Sequence, residues 1–287
     1  MIKYLQFVIY SESTRTRVPE VWLENLKQYT TDKEKVVYWI PENSPEYDYA
    51  KGLCSRNLRN IVVEETGNSI IEYSQKEYDD ANFYGVNFRS YIGRYDSVPI
   101  FENFGECCSN SRWKYVTGMV QEGNYRIPPK EFAKRKAGII IPGFAVNEEI
   151  ANALIGKGLA TKADFMEIYD KSRKKVVAYQ INPKHTFSGF CEDNSMRLVD
   201  SCSNCGMLRY EPNEQVYYIS EETARKLKHL NRTIEVTGSV IETDVKEYDP
   251  KDDCSFVEPW IIVSKEVYEV MTSFISNKNF FPILNKR

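Results

Sequence analysis

Histidine is nearly absent from this chain, which has only two, His185 and His229, among its 287 residues. His229 follows a basic stretch at the end of an expected helix, and His185 follows a proline in an expected loop, so both positions favour surface side chains over catalytic bases. The sequence also lacks the GxSxG, HExxH and Walker A patterns. We therefore do not expect an enzyme.

Long apolar runs and an excess of positive charge are missing too. The 38 Lys and Arg residues against 41 Asp and Glu give a net charge of −3, which argues against a general nucleic-acid binder or a membrane-surface protein. No apolar run approaches the ~20 residues of a membrane helix, and residues 1–10 resemble a β-strand more than a signal peptide. The seven cysteines are odd in number and do not form a secreted disulfide pattern. We expect a cytoplasmic protein.

The most informative motif is a CxxCG turn formed by Cys202, Ser203, Asn204, Cys205 and Gly206. Two thiolates at this spacing can share one zinc ion, and glycine supplies the positive φ that lets backbone N–H groups face the sulfurs. The stretch 108–112 reads CSNSR, which is the same motif without its second cysteine and its glycine. One intact and one degenerate copy indicate a duplicated unit.

A structural zinc site needs four ligands. Cys202 and Cys205 supply two, Cys108 is the natural third, and Cys107 is a candidate for the fourth because Ser111 is a poor ligand. Cys191 and His185 are further candidates. The alternative is a site that has lost its metal, with reduced cysteines packed as small apolar residues. The sequence leaves both possibilities open.

A second internal similarity supports the duplication. Residues 143–154 and 260–271 each combine a short apolar strand, an N-cap residue (Asn147 or Ser264) and apolar positions at helical spacing. Past each helix the chain continues through an expected strand, at 165–168 and at 280–284. The order of cysteine turn, strand, helix and strand therefore occurs twice, and it predicts half-units at about 96–180 and 190–287.

The first third of the chain has a different character. Strands are expected at residues 3–10, 36–40 and 60–64, with an amphipathic helix at about 19–29. Residues 41–90 are rich in tyrosine and contain nine Asp or Glu against five Lys or Arg. This stretch fits a solvated edge, or an acidic and aromatic surface that binds a basic protein. The candidate partner-binding residues are Tyr47, Asp48, Tyr49, Tyr73, Tyr78, Asp79, Asp80 and Tyr84.

These patterns predict an α+β protein with mixed sheets. We expect an N-terminal region at 1–95 and a duplicated cysteine-turn region at 96–287, built from strand–helix–strand units.

Over residues 100–287 the chain resembles the bacterial double-CxxCG-motif proteins, which include immunity proteins of polymorphic toxin systems. Cys202, Cys205 and Gly206 match the second turn of that family, whereas Cys108 alone matches the first and Ser111 departs from it. The closing segment from Ile261 to Ile283 is similar to that of other immunity-type proteins. The resemblance implies a non-enzymatic protein that binds and neutralises a cognate toxin.

Two other functions remain as alternatives. A zinc-ribbon protein that binds nucleic acid needs clustered basic residues, and the compact basic run is Lys130, Lys134, Arg135 and Lys136. A solvated helix face explains that run equally well, so nucleic acid is the weaker prediction. A metal-dependent hydrolase is the third possibility, and metal analysis followed by turnover screening distinguishes it.

Overall fold

The computed structural model describes residues 1–11, 27–31, 35–55, 61–88, 94–95, 113–115, 125–126, 132, 134–140, 143–169, 175–201, 208–211, 216–239 and 255–286. The chain divides into two compact units. The N-terminal unit comprises Met1–Asp79 together with Glu214–Val216, and the C-terminal unit comprises Asp80–Asn213 together with Tyr217–Arg287. The boundary therefore falls at residue 79 and not near residue 95, where the composition changes.

The N-terminal unit is a four-stranded sheet with a helix against it. Its strand order is β2-β3-β1-β4, and every neighbouring pair is antiparallel. The strands are β1 (Ile2–Ser11), β2 (Lys27–Thr31), β3 (Lys35–Pro41) and β4 (Ile61–Glu72). The helices are α1 (Pro45–Cys54) and α2 (Gln75–Asp80).

Alternation along β1 and β3 builds the core of this unit. Leu5, Phe7 and Ile9 on β1 share one buried cluster with Tyr38 and Ile40 on β3. Because successive side chains of a strand point to opposite faces, this spacing places them on the same side of the sheet. α1 covers that face with Ala50 and Leu53. Each fully buried aliphatic side chain of this kind contributes about 1.5–3 kcal/mol to folding.

The C-terminal unit contains the remaining sheets. A four-stranded sheet has the order β11-β12-β10-β9, a larger sheet has the order β14-β15-β17-β18-β5-β19-β16, and β6 pairs with β8. β13 adds to β17, and β7 adds to β18. The strands are β5 (Phe83–Val86), β6 (Arg94–Tyr95), β7 (Trp113–Tyr115), β8 (Tyr125–Arg126), β9 (Ala137–Ile139), β10 (Phe144–Val146), β11 (Phe165–Tyr169), β12 (Val176–Ile181), β13 (Thr186–Phe187), β14 (Arg197–Ser201), β15 (Leu208–Glu211), β16 (Tyr218–Ile219), β17 (Leu230–Ser239), β18 (Ser255–Ser264) and β19 (Phe280–Asn285).

Helices and 3₁₀ turns whose bounds lie within the described residues connect several of these strands. The helices are α3 (Glu148–Gly156), α4 (Phe190–Asp193), α5 (Glu221–Ala224) and α6 (Lys265–Thr272), and the 3₁₀ turns are Lys162–Asp164 and Asn277–Asn279. α3 begins where the sequence predicts, because the Asn147 side chain accepts the N–H of Ile150 at 3.0 Å. It ends at Gly156, and the following turn places Gly158 at a φ of +71°. A glycine in the left-handed region thus follows directly after the end of the helix.

Two sequence-based elements are wrong in extent. The helix expected at 19–29 does not include residues 27–29, which belong to β2, and its earlier part lies outside the described residues. The helix expected before His229 is short and spans only Glu221–Ala224. Beyond this helix, the Asn231 side chain accepts the N–H of Lys228 at 2.6 Å and donates to the carbonyl of Ile262 at 3.0 Å. These bonds hold the chain in a turn that leads directly into β17.

The predicted α+β class with mixed sheets is confirmed. Both expected strand–helix–strand segments are present, as β10–α3–β11 and β18–α6–β19. No helix that the described residues form is long and apolar enough to cross a lipid bilayer.

Candidate functional site

Most of the residues that the sequence proposes for partner binding gather at one end of the N-terminal sheet. β1 starts at this end, where Tyr4 lies opposite Pro41 of β3 and Ile2 lies opposite Glu72 of β4. α1 and α2 both begin a few residues after these strand ends. We call this region the acidic end, and it comprises Glu42, Glu46, Asp48, Tyr49, Glu72, Tyr73, Glu77, Tyr78 and Asp79.

Local capping fixes α1 at the acidic end. Its N-cap is Ser44, whose hydroxyl accepts the N–H of Tyr47 at 3.2 Å, and Pro45 stands at the first helical position, where no N–H is needed. The Tyr47 ring is half-buried and lies edge-on to Phe7 at 5.9 Å between centroids. The side chain of Tyr49 is 48% exposed, and Asp48 is exposed as well. Tyr47 therefore holds the helix on the sheet, whereas Asp48 and Tyr49 face solvent.

Glu77 ties α2 to the start of the chain. Its carboxylate accepts the N–H of Ser74 at 2.8 Å and lies 3.0 Å from the N-terminal amine of Met1. Burial alone raises the pKa of Glu77, but the hydrogen bonds from Ser74 and the charge of the amine lower it overall. The Tyr73 and Tyr78 rings meet edge to face at 6.2 Å. The two tyrosines and the carboxylate thus form one packed corner.

The acidic end has an excess of negative charge. Six carboxylates lie there, and the described residues place three cationic groups beside them: the Met1 amine, Lys3 and Lys76. Two of these cations form ion pairs: the Lys3 ammonium lies 3.4 Å from the Glu42 carboxylate, and the Met1 amine pairs with Glu77. Lys51 pairs with Glu65, farther along the sheet. Asp48 and Glu72 are exposed, so their charges face solvent.

Tyr84 does not belong to this surface. It lies on β5 in the C-terminal unit with 0% exposure, and its ring stacks on Tyr268 at 3.9 Å between centroids. Its hydroxyl donates to the carbonyl of Ala81 at 3.2 Å. The tyrosines of residues 41–90 therefore include an exposed side chain, Tyr49, as well as a core residue, Tyr84. Asp80 is exposed, but it is the first residue of the C-terminal unit.

The four predicted metal ligands, Cys107, Cys108, Cys202 and Cys205, lie outside the described residues. The strands beside the CxxCG turn are described, and they form a hairpin in which Ser201 of β14 pairs with Leu208 of β15. Within the described part of the chain, no three His, Cys, Asp or Glu side chains are grouped to hold a metal. Cys54 and Cys191 are free thiols, and burial raises the pKa of the Cys191 thiol, which disfavours a reactive thiolate.

The structure also reveals a buried carboxylate that sequence reasoning missed. Glu235 on β17 is only 1% exposed, and its Oε1 accepts the N–H of Gly189 at the start of α4. The other oxygen, Oε2, has no partner in hydrogen-bonding geometry among the described residues. Burial raises the pKa of Glu235, although the N–H groups of Gly189, Cys191 and Phe190 oppose the shift.

The pH dependence of stability should reveal Glu235. A carboxyl whose pKa is higher in the folded state favours folding below its unfolded pKa of ~4.5, and this contribution is lost as pH rises through the folded pKa. We expect Glu235→Gln to gain stability relative to the native chain between about pH 5 and pH 8. Urea denaturation at both pH values measures this difference. The exposed carboxylate Glu64 provides the control Glu64→Gln, and equal pH profiles for all three proteins would contradict the assignment.

Comparisons with models of known families, with curated proteins and with solved structures gave no match to this chain.

Proposed function

We propose that this chain is a bacterial immunity-type protein, not an enzyme, that binds and neutralises a cognate basic toxin in the cytoplasm. The observation that carries the proposal is the acidic end, where six carboxylates and an exposed tyrosine occupy one edge of the N-terminal unit. The resemblance of residues 100–287 to immunity proteins provides separate support.

The negative charge of the acidic end affects the speed and specificity of binding. A cluster of one charge sign raises the rate at which an oppositely charged partner is encountered and excludes partners of the same sign. Affinity then depends on a few aromatic anchors that become buried. Tyr49 is suited to be such an anchor because its side chain is exposed on α1. The same helix is held on the sheet by Tyr47, whose ring packs against Phe7. The helix therefore loses little conformational freedom when a partner binds.

A structural zinc is a second part of the proposal. Cys202 and Cys205 are the ligands that the CxxCG motif assigns, with Cys108 and Cys107 as their proposed partners. The pairing of Ser201 with Leu208 supports this proposal, because it holds together the two ends of the connection that carries the motif. Metal analysis of the purified protein tests it. Cys202→Ser with Cys205→Ser should remove zinc, whereas Cys54→Ser, at an exposed thiol, should leave it.

The experiment that tests the function uses the protein encoded beside this gene. We expect it to be a basic toxin that binds the purified chain at low salt, more weakly at high salt, and whose toxicity is suppressed by co-expression. Absence of both binding and protection would contradict the proposal. If the affinity did not change with ionic strength, the toxin would still be the partner, but the acidic end would be excluded as its docking surface.

A further inference from the structure

The C-terminal unit contains the same four-stranded arrangement twice. The first copy has the strand order β9-β10-β12-β11, and the second has the order β17-β18-β5-β19. Every neighbouring pair in both copies is antiparallel. In each copy a helix connects two parallel strands, and a third strand runs antiparallel between them. We call this third strand the inner strand.

The register of the inner strand agrees residue by residue. Tyr179 on β12 lies opposite Val146 on one side and Glu167 on the other. Tyr84 on β5 lies opposite Val263 and Pro282. Val146 and Val263 each directly precede the N-cap of their helix, and Glu167 and Pro282 are each the third residue of their strand. The two copies therefore superpose in register without an insertion at these positions.

Hydrogen bonds outside the sheets repeat as well. The backbone N–H of Asn147, the N-cap of α3, donates to the carbonyl of Lys136 at 2.8 Å. The backbone N–H of Ser264, the N-cap of α6, donates to the carbonyl of His229 at 2.9 Å. In both copies the acceptor is the residue just before the outer strand, β9 or β17. The residue after each inner strand donates its backbone N–H to the carbonyl of the last residue of the 3₁₀ turn in the same copy. These bonds join Asn182 to Asp164 and Asn87 to Asn279, both at 2.8 Å.

The helices carry equivalent side chains. Two residues past each N-cap stands a glutamate, and Glu149 lies 3.1 Å from Lys136 while Glu266 lies 3.7 Å from His229. The same helical positions are fully buried in both copies. They are Ile150 and Leu154 in α3, and Val267 and Met271 in α6. Strand order, register, caps and charge pairs thus agree together, which independent origins do not explain.

The copies differ in where the inner strand comes from. In the first copy β12 directly follows β11, whereas in the second the inner strand β5 precedes the whole first copy in the chain. We infer that the C-terminal unit is an internal duplication whose second copy is closed by a strand displaced to the front of the unit. On this inference the second copy also includes residues 83–86, which lie before both half-units expected from the sequence, 96–180 and 190–287.

The sequence of β5 fits the neighbouring strand of the second copy. A Cβ atom added to Gly85 would lie 2.0 Å from the ring of Phe281, which itself packs against Tyr217 and Trp260. The equivalent pair in the first copy is Gln180 opposite Met166. This register position therefore carries a side chain in the first copy, where Met166 lies opposite, and none in the second, where Phe281 lies opposite. Without β5, both β18 and β19 would present unpaired backbone groups in the middle of the sheet.

Hydrogen exchange of the full chain tests this inference through Gly85→Ala. We expect exchange to accelerate by about tenfold or more in residues 83–86, 255–264 and 280–285, because the second copy opens as one unit. Residues 137–146 and 165–181 should change by less than about twofold. In a Phe281→Met background, the effect of Gly85→Ala should be smaller, since the ring that blocks the new Cβ is gone.

Three outcomes would overturn the inference: acceleration spread equally over both copies, acceleration confined to 83–86, or no reduction by Phe281→Met. If Gly85→Ala gives no folded protein, Tyr84→Phe provides a milder change. It removes only the hydroxyl that donates to Ala81, and it should accelerate exchange in the same three segments. Acceleration in the first copy or in the N-terminal unit instead would contradict the assignment of β5.

Discussion

Tyr84→Ala should lower the free energy of unfolding of the C-terminal unit by about 3–5 kcal/mol, as expected for a large aromatic side chain removed from a core. The side chain is fully buried, and its ring stacks on Tyr268 at 3.9 Å. It also stands on the inner strand of the second copy, between β18 and β19. The cavity would therefore open in the middle of the sheet, where neighbouring strands cannot easily close it. Denaturant unfolding followed by tryptophan fluorescence and circular dichroism measures the loss.

Two control variants separate this effect from a general sensitivity to tyrosine loss. Tyr84→Phe keeps the ring and removes the hydroxyl that donates to Ala81, so it should cost about 0.5–1.5 kcal/mol. Tyr49→Ala, at a 48% exposed position, should change stability by less than about 0.5 kcal/mol. A Tyr84→Ala protein as stable as Tyr49→Ala would show that β5 does not occupy the middle of the sheet.

Charge reversal at the acidic end should have the largest effect on binding. Asp48→Lys combined with Asp79→Lys places two positive charges on exposed helix positions that would face a basic partner. Like charges brought together at an interface cost several kcal/mol, so we expect the dissociation constant for the protein encoded beside this gene to rise about 100-fold or more. Calorimetric titration at low and physiological salt measures the change.

Glu64→Lys is the matched control for that prediction. Glu64 is an exposed carboxylate of the same unit, but it lies farther along β4, opposite Val8. Its reversal changes the net charge without altering the acidic end, and it should raise the dissociation constant by less than about threefold. The double variant changes the net charge twice as much as Glu64→Lys. A loss of binding free energy for Glu64→Lys of half that of the double variant or more would therefore mean that only net charge matters, and that the acidic end is not the docking surface.

The elements that could be predicted from sequence are those with strong local signals. The alternating apolar residues of β1 predict a strand at 3–10, and the structure has one at Ile2–Ser11. Asn147 and Ser264 predict the starts of α3 and α6, and both helices begin at the next residue. Capping and periodicity depend on neighbours in the sequence, so they can be recognised without knowledge of the tertiary structure.

The features that sequence reasoning missed depend on distant contacts. Residues 83–86 have no local signal for an inner strand, because their partners β18 and β19 begin more than 150 residues later. Composition alone therefore groups Tyr84 with the exposed tyrosines. The Asn231 side chain similarly fixes the turn before β17 through a bond to Ile262, which only tertiary folding brings near.

Glu235 illustrates a further limit. It stands between Thr233 and Thr237 in a polar alternation that favours a solvent-facing side chain. The buried face of β17 is nevertheless this polar one, since Asn231, Thr233 and Glu235 are each at most 1% exposed whereas Ile234 is 51% exposed. The Glu235 carboxylate accepts the N–H of Gly189 at the start of α4, a contact that only tertiary folding brings near.

We propose the acidic end of the N-terminal unit as the surface that binds a basic protein partner. Hydrogen exchange of the free chain, compared with that of its complex with the protein encoded beside this gene, tests this proposal. Exchange at residues 45–49 and 72–79 should be slower in the complex. Slower exchange confined to the C-terminal unit, with both of those segments unchanged, would contradict it.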